Sequence, residues 1–468
     1  MAEQQLNPDV KRAYEALTKK AAHYDRLWAY YDGNAPLKYS TKRLQEIFKN
    51  IDARFTQNWC GVVVDSVTER MEFKQFQVQN NEVATKTMNA WFEASGLNLD
   101  ADDAELCALV TGESYVITWP NEDGLEAYYN DSRMCHIFYD PENPRQKMLG
   151  AKWWEEETRL RLTLYYPTRL EYYAADLKSS QGSKPASKIS HKSFQPLLLN
   201  ETDPESWWAE NPLGIVPLWH LRRETRAIKS ELGPSILDMQ DAINKLMNDM
   251  MVASEFGAFK QRYVISQADV GTLKNSPNEI WDLPGGDGLG QPTQVGEFGE
   301  TQLDNFMGQI EKLATAVAKM SRTPQYYFFL GARADPSGET LLAMDAPLVK
   351  KAQSYIKRFR REWIALGKFV AAQLNIPIEA NGLDVVYADP RTVQPKTEAE
   401  TRKTEVDSGI PLRTNLRREG WTPEELAQLD ADKEAERAAN TQALANALLN
   451  QQRQFDQNGA ANGAVSNA

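Results

Sequence analysis

The sequence is poor in the residues that chemistry needs. Three cysteines, Cys60, Cys107 and Cys135, occur in 468 residues. So odd and sparse a set of thiols excludes a disulfide framework and fits a reducing setting. There are four histidines: His23, His136, His191 and His220. None lies at metal-ligand spacing from a second His or Cys except in the adjacent pair Cys135-His136. Adjacent residues on a strand point to opposite faces, so that pair reads as structural and no metal is expected. No run of about 18 apolar residues exists, so no membrane contact through a spanning helix is expected. The opening MAEQQLNPDVKR lacks the apolar core of a secretory leader. No G-x-x-x-x-G-K-[ST] loop is present, so the chain is not expected to hydrolyse ATP. GGDGLG (285–290) does not match G-x-G-x-x-G and reads as a turn. The serines of ESY and PSGE have no nucleophile elbow around them, and Asp102-Asp103 reads as a solvated helix pair. An enzyme is poorly supported, and no cofactor is expected. The net charge of −12 argues against a simple nucleic-acid clamp, which is usually basic.

Apolar residues make up 42% and charged residues 25%, an ordinary globular balance with length for two to four domains. Helical periodicity opens the chain: Val10, Tyr14, Leu17, Ala21, Tyr24, Leu27, Trp28 and Tyr31 recur on one side until Asp32-Gly33-Asn34 stops them. NWCGVVVDSVTERMEF (58–73) is an apolar run read as helix, because Val63, Val67 and Met71 lie four apart. Residues 82–120 read as two helices and a strand, and NEDG (121–124) as a hairpin turn. RLRLTLYYP alternates Leu160, Leu162, Leu164 and Tyr166 on one strand face, and 177–192 reads as a flexible surface loop. The first 228 residues therefore read as an α+β domain.

The middle is helical. Ile236, Gln240, Ile243, Met247, Met250 and Ser254 form one stripe of a helix about 30 Å long. Short strands and turns occupy 260–297. A second helix carries Leu303, Phe306, Ile310, Leu313, Val317 and Met320. A third runs from about Gly338 to Leu374, with Leu348, Ala352, Tyr355, Phe359, Trp363, Leu366 and Val370 on one face and Pro347 inside it, where a kink is expected. GLDVVYADP (382–390) is one isolated strand. Its natural partner is the N-terminal α+β domain, which would make that domain discontinuous and the helical middle an insertion. Residues 397–452 read as helices, one of them starting at Thr422-Pro423-Glu424-Glu425. The last stretch reads as a disordered tail.

Between the second and third helices lies SRTPQYYFFLGARADPSGETLLAM (321–344), four aromatics followed by Gly331, Asp335, Pro336, Ser337 and Gly338. A bulky segment followed by a flexible one suits neither plain core nor ordinary surface. The alternative is a plain helix–helix connection with its aromatics in a local core.

Seven stretches, taken in order, carry a resemblance: NWCGVVVDSVTERM, LVTGESYVITWP, YDPENPR, ILDMQDAINKLMNDMMVASEFGAFKQRYV, KMSRTPQYYFFLG, ADPSGETLLAMDAPLV and DSGIPLRTNLRREGWTPEEL. With them the chain resembles the portal proteins, or head-to-tail connectors, of siphophage-type tailed bacteriophages, from about Tyr30 to Asp430. The resemblance implies a virion protein of α+β class that assembles as a ring-shaped homo-oligomer, usually a dodecamer, around a channel for double-stranded DNA packaging and ejection. It implies a wing over 1–228, completed by a long kinked helix and a wing strand over 339–394. It implies stem helices over 229–257 and 299–322, a small β-containing clip over 258–298 and a tunnel loop over 323–338. The remainder would be a helical crown over 395–452 and a free tail over 453–468. Implied partners are the terminase large subunit, the major capsid and scaffolding proteins, and a head-completion adaptor. Two rival readings stay open: another virion component such as a minor capsid protein, and a soluble enzyme of unknown chemistry.

On this resemblance the tunnel-loop residues are Arg322, Gln325, Tyr326, Tyr327, Phe328, Phe329, Arg333 and Asp335. The aromatics would pack between neighbouring loops or on the wing, so exchanging Tyr326–Phe329 for serine is expected to leave rings assembled and impair packaging. Lys319, Arg322 and Arg333 flank the loop as candidate phosphate contacts, and Arg262, Lys274, Trp281 and Asp282 fall in the clip where terminase and adaptor would dock. Between Lys229 and Arg322 there are eight Lys/Arg against thirteen Asp/Glu, a net of −5. Such a wall would keep phosphate contacts few and transient. The six basic residues of KKAQSYIKRFRR (350–361) read first as a solvated or subunit-facing helix side.

Overall fold

The computed structural model describes residues 7–36, 56–122, 124–179, 182–183, 189–200, 202–257, 262–265, 294–297, 302–328, 338–379, 382–391, 395–418, 421 and 423–463. Helix α1 (Pro8–Tyr31) starts where Asn7 accepts the amide of Asp9 and Pro8 takes the first turn. Its front half buries Val10, Ala13, Tyr14 and Leu17 against a β-sheet. Its rear half buries Tyr24, Leu27 and Tyr30 in a different and larger core. One helix thus rivets two hydrophobic clusters together.

Helix α2 (Trp59–Thr68), capped by Asn58, ends the run read as helix, and Phe73 instead opens strand β1 (Phe73–Val78). Two helices follow, α3 (Glu82–Ala94) and α4 (Leu97–Thr111). Gly96 and Gly112 bracket α4 in the left-handed region. At Gly112 a Cβ would stand 2.7 Å from the Lys229 backbone, so both its φ and its packing demand glycine. Strands β2 (Glu113–Asn121) and β3 (Gly124–Asn130) form the hairpin read at NEDG, and β12 (Leu218–Arg222) pairs with β2 on the other side.

A meander of β4 (Cys135–Tyr139), β5 (Lys147–Glu156), β6 (Arg159–Tyr165) and β7 (Arg169–Asp176) makes the second sheet. Leu160, Leu162 and Leu164 are buried as expected, whereas Tyr166 lies past the strand end and half-buried, and Thr163 and Tyr165 on the other face are buried as well. The segment 177–192 holds only two-residue strands β8 (Lys178–Ser179) and β9 (Gly182–Ser183) and a single turn, and part of it lies outside the described residues. Strands β10 (Gln195–Pro196) and β11 (Trp208–Glu210) both pair with β7.

Helix α5 (Pro234–Gly257) then leaves this unit, and strands β13 (Arg262–Ile265) and β14 (Gln294–Glu297) pair as an antiparallel ribbon. Helix α6 (Asp304–Ser321) returns along α5; it begins five residues after the start read from sequence. Helix α7 (Gly338–Gln373) follows, contains Pro347, and at 36 residues measures about 54 Å. All seven residues of its expected apolar face are buried. Near its end Gly367 lets it approach Phe76 and Leu383, where a Cβ would come within 2.7 Å of either side chain. Strand β15 (Leu383–Tyr387) pairs antiparallel with β1, Val78 opposite Leu383 and Phe76 opposite Val385. The isolated strand finds its partner in the N-terminal unit, so that unit is discontinuous and the helical middle is inserted in it.

The outer edge of β1 carries a device of its own. Asn89 on α3 accepts the Phe76 amide at 2.9 Å and donates to its carbonyl at 3.0 Å. Thr85 accepts the Val78 amide, also at 2.9 Å, and donates to its carbonyl. Two side chains thus occupy the groups a further strand would use, which blunts the edge.

Helices α8 (Pro395–Asp407), α9 (Leu412–Arg418) and α10 (Pro423–Gly463) complete the chain. The sequence reading placed a disordered tail from 453, whereas α10 continues to Gly463. Leu426 and Asp430 tie its start to the rest of the chain, and its Ala, Leu, Gln and Arg content favours helix beyond them.

Two buried carboxylates organise the N-terminal unit. Glu113 accepts from Lys20 Nζ at 2.8 Å, Tyr24 Oη at 2.7 Å, Tyr115 Oη at 2.9 Å and His220 Nε2 at 2.8 Å. Lys20 and His220 hold it ionised well below the usual range despite its burial. Beside it the half-buried His136 has a shielded Nδ1 with no hydrogen-bond partner among the described residues, and desolvation pushes its imidazole down to about 3, which makes it a neutral structural residue.

Glu105 is the opposite case. Its Oε1 accepts from Trp363 Nε1 at 2.9 Å and from Tyr387 Oη, while Oε2 has no partner among the described residues. Burial, offset in part by those two donors, pushes its carboxyl up to about 8. The folded chain then keeps a proton that the unfolded chain releases near pH 4.5, so stability falls as pH rises from about 4.5 to 8 and levels off above. Glu105→Gln keeps the acceptor and cannot ionise. It is expected to flatten that slope and, above pH 8, to exceed the parent in stability by on the order of a few kcal/mol. Chemical unfolding at pH 5 and pH 9 checks it; equal slopes in the two proteins would refute it.

Candidate functional site

The segment after α6 is built from its cap outward. Arg322 takes the left-handed conformation (φ 58°), and the amides of Arg322 and Thr323 bond back to Lys319 and Ala318, a Schellman ending with arginine where glycine is usual. Pro324 starts a 3₁₀ turn over Gln325–Phe328. Phe328 is 2% exposed, and its ring lies 5.2 Å from Trp59 at the start of α2. Tyr326 and Tyr327 stack at 4.8 Å. Tyr326 Oη donates to Asp345 Oδ1 at 2.5 Å, and burial with that bond pushes its phenol above its ordinary range. Arg70 donates to Asp345 Oδ2 at 3.1 Å, to the Pro390 carbonyl at 3.1 Å and to Tyr327 Oη at 3.4 Å. Asp345 is thereby a buried clasp between the turn, the segment just after α2 and the first third of α7.

A second clasp lies six residues further along α7. Lys351 Nζ donates to the Ser321 carbonyl at 2.6 Å and to Glu231 Oε1 at 2.9 Å, with both charged side chains 6% exposed. Glu231 Oε2 accepts from Tyr355 at 2.5 Å and from Arg223 at 2.9 Å. Arg358 donates to the Arg223 carbonyl. The Glu231 amide in turn donates to the Leu109 carbonyl at 2.8 Å. The last turn of α6, the approach to α5, and α7 are therefore tied by one carboxylate. Further along α5, Gln240 accepts the Trp59 amide and Asp241 accepts the Tyr30 hydroxyl.

Of the residues singled out from sequence, Arg322 and Lys319 are exposed beside this base, and Gln325, Tyr326 and Tyr327 are half-buried in the turn. Phe328 is core. Phe329, Arg333 and Asp335 lie outside the described residues, as do Lys274, Trp281, Asp282 and the GGDGLG turn. Arg262 opens β13, whose Tyr263 and Ile265 are exposed. The basic run 350–361 divides: Lys351 and Arg358 join the buried network, Arg360 pairs with Asp384, and Lys350, Lys357 and Arg361 are exposed.

Trp59, Arg70, Asp345, Glu231 and Lys351 were missed as site residues. The one signal for them is Lys351, which sits among Leu348, Ala352 and Tyr355 on an otherwise apolar stripe.

With this geometry in hand, comparison with known proteins places the chain. It belongs to the phage portal proteins, structural components of the virion whose general role is the channel for DNA packaging: the family model described as phage portal protein, SPP1 Gp6-like, matches residues 11–439. A portal protein of Mycobacterium phage L5 is 22% identical over 408 residues, covering 78% of each chain. A portal protein of Mycobacterium phage D29 is 22% identical over 378 residues, covering 76% of this chain and 74% of its own. Among the described residues no helix is long and apolar enough to cross a membrane.

Proposed function

We propose that twelve copies of this chain close into a ring at one capsid vertex and pass double-stranded DNA inward during packaging and outward during ejection. The observation that carries this reading is the excursion 234–321. It leaves the α+β unit on one long helix, turns at a ribbon, and returns on another to the same core. In this reading α5 and α6 are the stem and 258–298 is the clip, which receives the terminase large subunit first and a head-completion adaptor later. The tunnel loop of 323–338 reaches toward the DNA from a base that the buried Phe328 anchors in the core, with Lys319, Arg322 and Arg333 touching phosphates without reading bases. The N-terminal unit, α7 and β15 form the wing and α8–α10 the crown, against which scaffolding and major capsid proteins assemble.

The clasps at Asp345 and Glu231 support a loop role, because they fix both flanks of 329–337 to the core. Arg322 adds to it: a non-glycine residue in the left-handed region costs about 1 kcal/mol or more, which a contact made by its side chain would repay.

Native mass of the full chain, with images of the same sample, tests the ring. A 53.0 kDa chain gives about 636 kDa for twelve copies, with a central hole expected. A compact dimer that persists on concentration would sink the reading.

A further inference from the structure

One cleft stands out by charge. It holds about 950 Å³ between α1, the approach to α5, the end of α6 and α7. Its lining has seven basic side chains against three acidic ones, in a chain whose net charge is −12. Lys351 and Arg223 are taken up by Glu231, but Arg26, Arg322 and Lys350 are exposed on the rim with no ion pair among the described residues. The cleft is not purely polar. Ile228 is 44% exposed and Met320 43% exposed, and both line it. Concavity with exposed apolar anchors fits a protein segment better than a DNA duplex, whose phosphate backbone gives those anchors nothing to bury against. An apolar centre inside a charged rim is also how protein interfaces are built.

The complementary element occurs in the same chain. On α4, Leu99, Asp102 and Asp103 stand at i, i+3 and i+4, so they share one face. Leu99 is 73% exposed, and both aspartates are exposed without an ion-pair partner among the described residues. Partial burial, with Glu72 and Asp103 nearby, pushes the Asp102 carboxyl up. None of these residues lines the cleft.

We infer that the cleft of one copy receives the Leu99–Asp103 face of α4 from the next copy, Leu99 meeting Ile228 and Met320 while the aspartates meet Arg26 and Lys350. Two different surfaces meeting in this way form a heterologous contact, which propagates around a closed ring. The contact rests on the ring reading and names its chemistry.

Two variants of the full chain test it: Arg26→Glu/Lys350→Glu and Asp102→Lys/Asp103→Lys. Each is expected to need at least tenfold more protein for half-assembly. Mixed in equal amounts they are expected to reassemble as alternating rings, because each supplies the charge the other lacks. A second measurement uses Leu99→Cys/Met320→Cys, both at exposed positions, in a chain whose native Cys60, Cys107 and Cys135 are all buried. Oxidation is expected to give a ladder of covalent dimers, trimers and higher species.

Rings formed by both charge variants as readily as by the parent would overturn this contact and leave the ring standing. So would a cysteine pair that closes within one chain, or a cleft variant that assembles normally and loses only salt-sensitive duplex binding, which would make the cleft a phosphate site. A parent chain that stays monomeric at every concentration and gives no ladder would remove both the ring and the contact.

Discussion

Phe328→Ala is expected to lower the stability of the folded chain by about 3–5 kcal/mol, the range for truncating a fully buried aromatic. The ring is packed against Trp59 in the main core, so the change leaves a cavity that fixed neighbours cannot fill. Tyr326→Phe, three-dimensionally adjacent, removes only a hydroxyl from a carboxylate that Arg70 still serves, and is expected to cost about 1–2 kcal/mol. Chemical unfolding of the two variants checks the contrast, and equal losses would show that Phe328 is not anchored as described. From the sequence, Tyr326–Phe329 are all expected to be exchangeable for serine with rings still assembled; with Phe328 buried on Trp59, its exchange is expected to cost folding instead. A test of the loop's role in packaging should spare Phe328.

Removing Glu231 should have a comparable effect by a different route. Glu231→Ala leaves the Lys351 ammonium buried without its counter-charge and loosens Arg223 and Tyr355, at a cost of about 3–5 kcal/mol. Glu231→Met combined with Lys351→Met removes both charges and is expected to recover most of that loss, because two desolvation penalties vanish with the attraction they offset. Arg223 retains a partner in Glu224 at 3.6 Å. A double variant no better than Glu231→Ala would show that the network holds the helices by geometry and not by charge balance.

The sequence was most legible where periodicity is long. The stripe of α7 is read without error because seven apolar residues over 23 positions leave no other amphipathic solution. The hairpin at NEDG and the meander strand Leu160–Leu164 were equally plain. Strand β1 was not, since FKQFQV buries Gln75 and breaks the alternation, and its partner lies far along the chain. The polar clasps were hidden for a related reason. Lys351 reads as part of a basic run, and only the fold brings it to Glu231, 120 residues away. Portal membership itself was legible in seven ordered stretches, none of which contains a catalytic pattern.

The pairing of β1 with β15 has a consequence in time. Val78 and Leu383 face each other across roughly 300 residues of intervening chain. A ribosome adding about 5–20 residues per second makes β1 some 15–60 s before the strand that completes it. During that interval β1 is a lone strand, the element most prone to pair with a neighbouring nascent chain. Asn89 and Thr85 emerge within seconds of it and occupy one of its edges. The other edge stays open for the correct partner alone to claim, so a pair of small polar side chains on α3 works as an intramolecular chaperone for a molecule whose first and last parts must wait for each other.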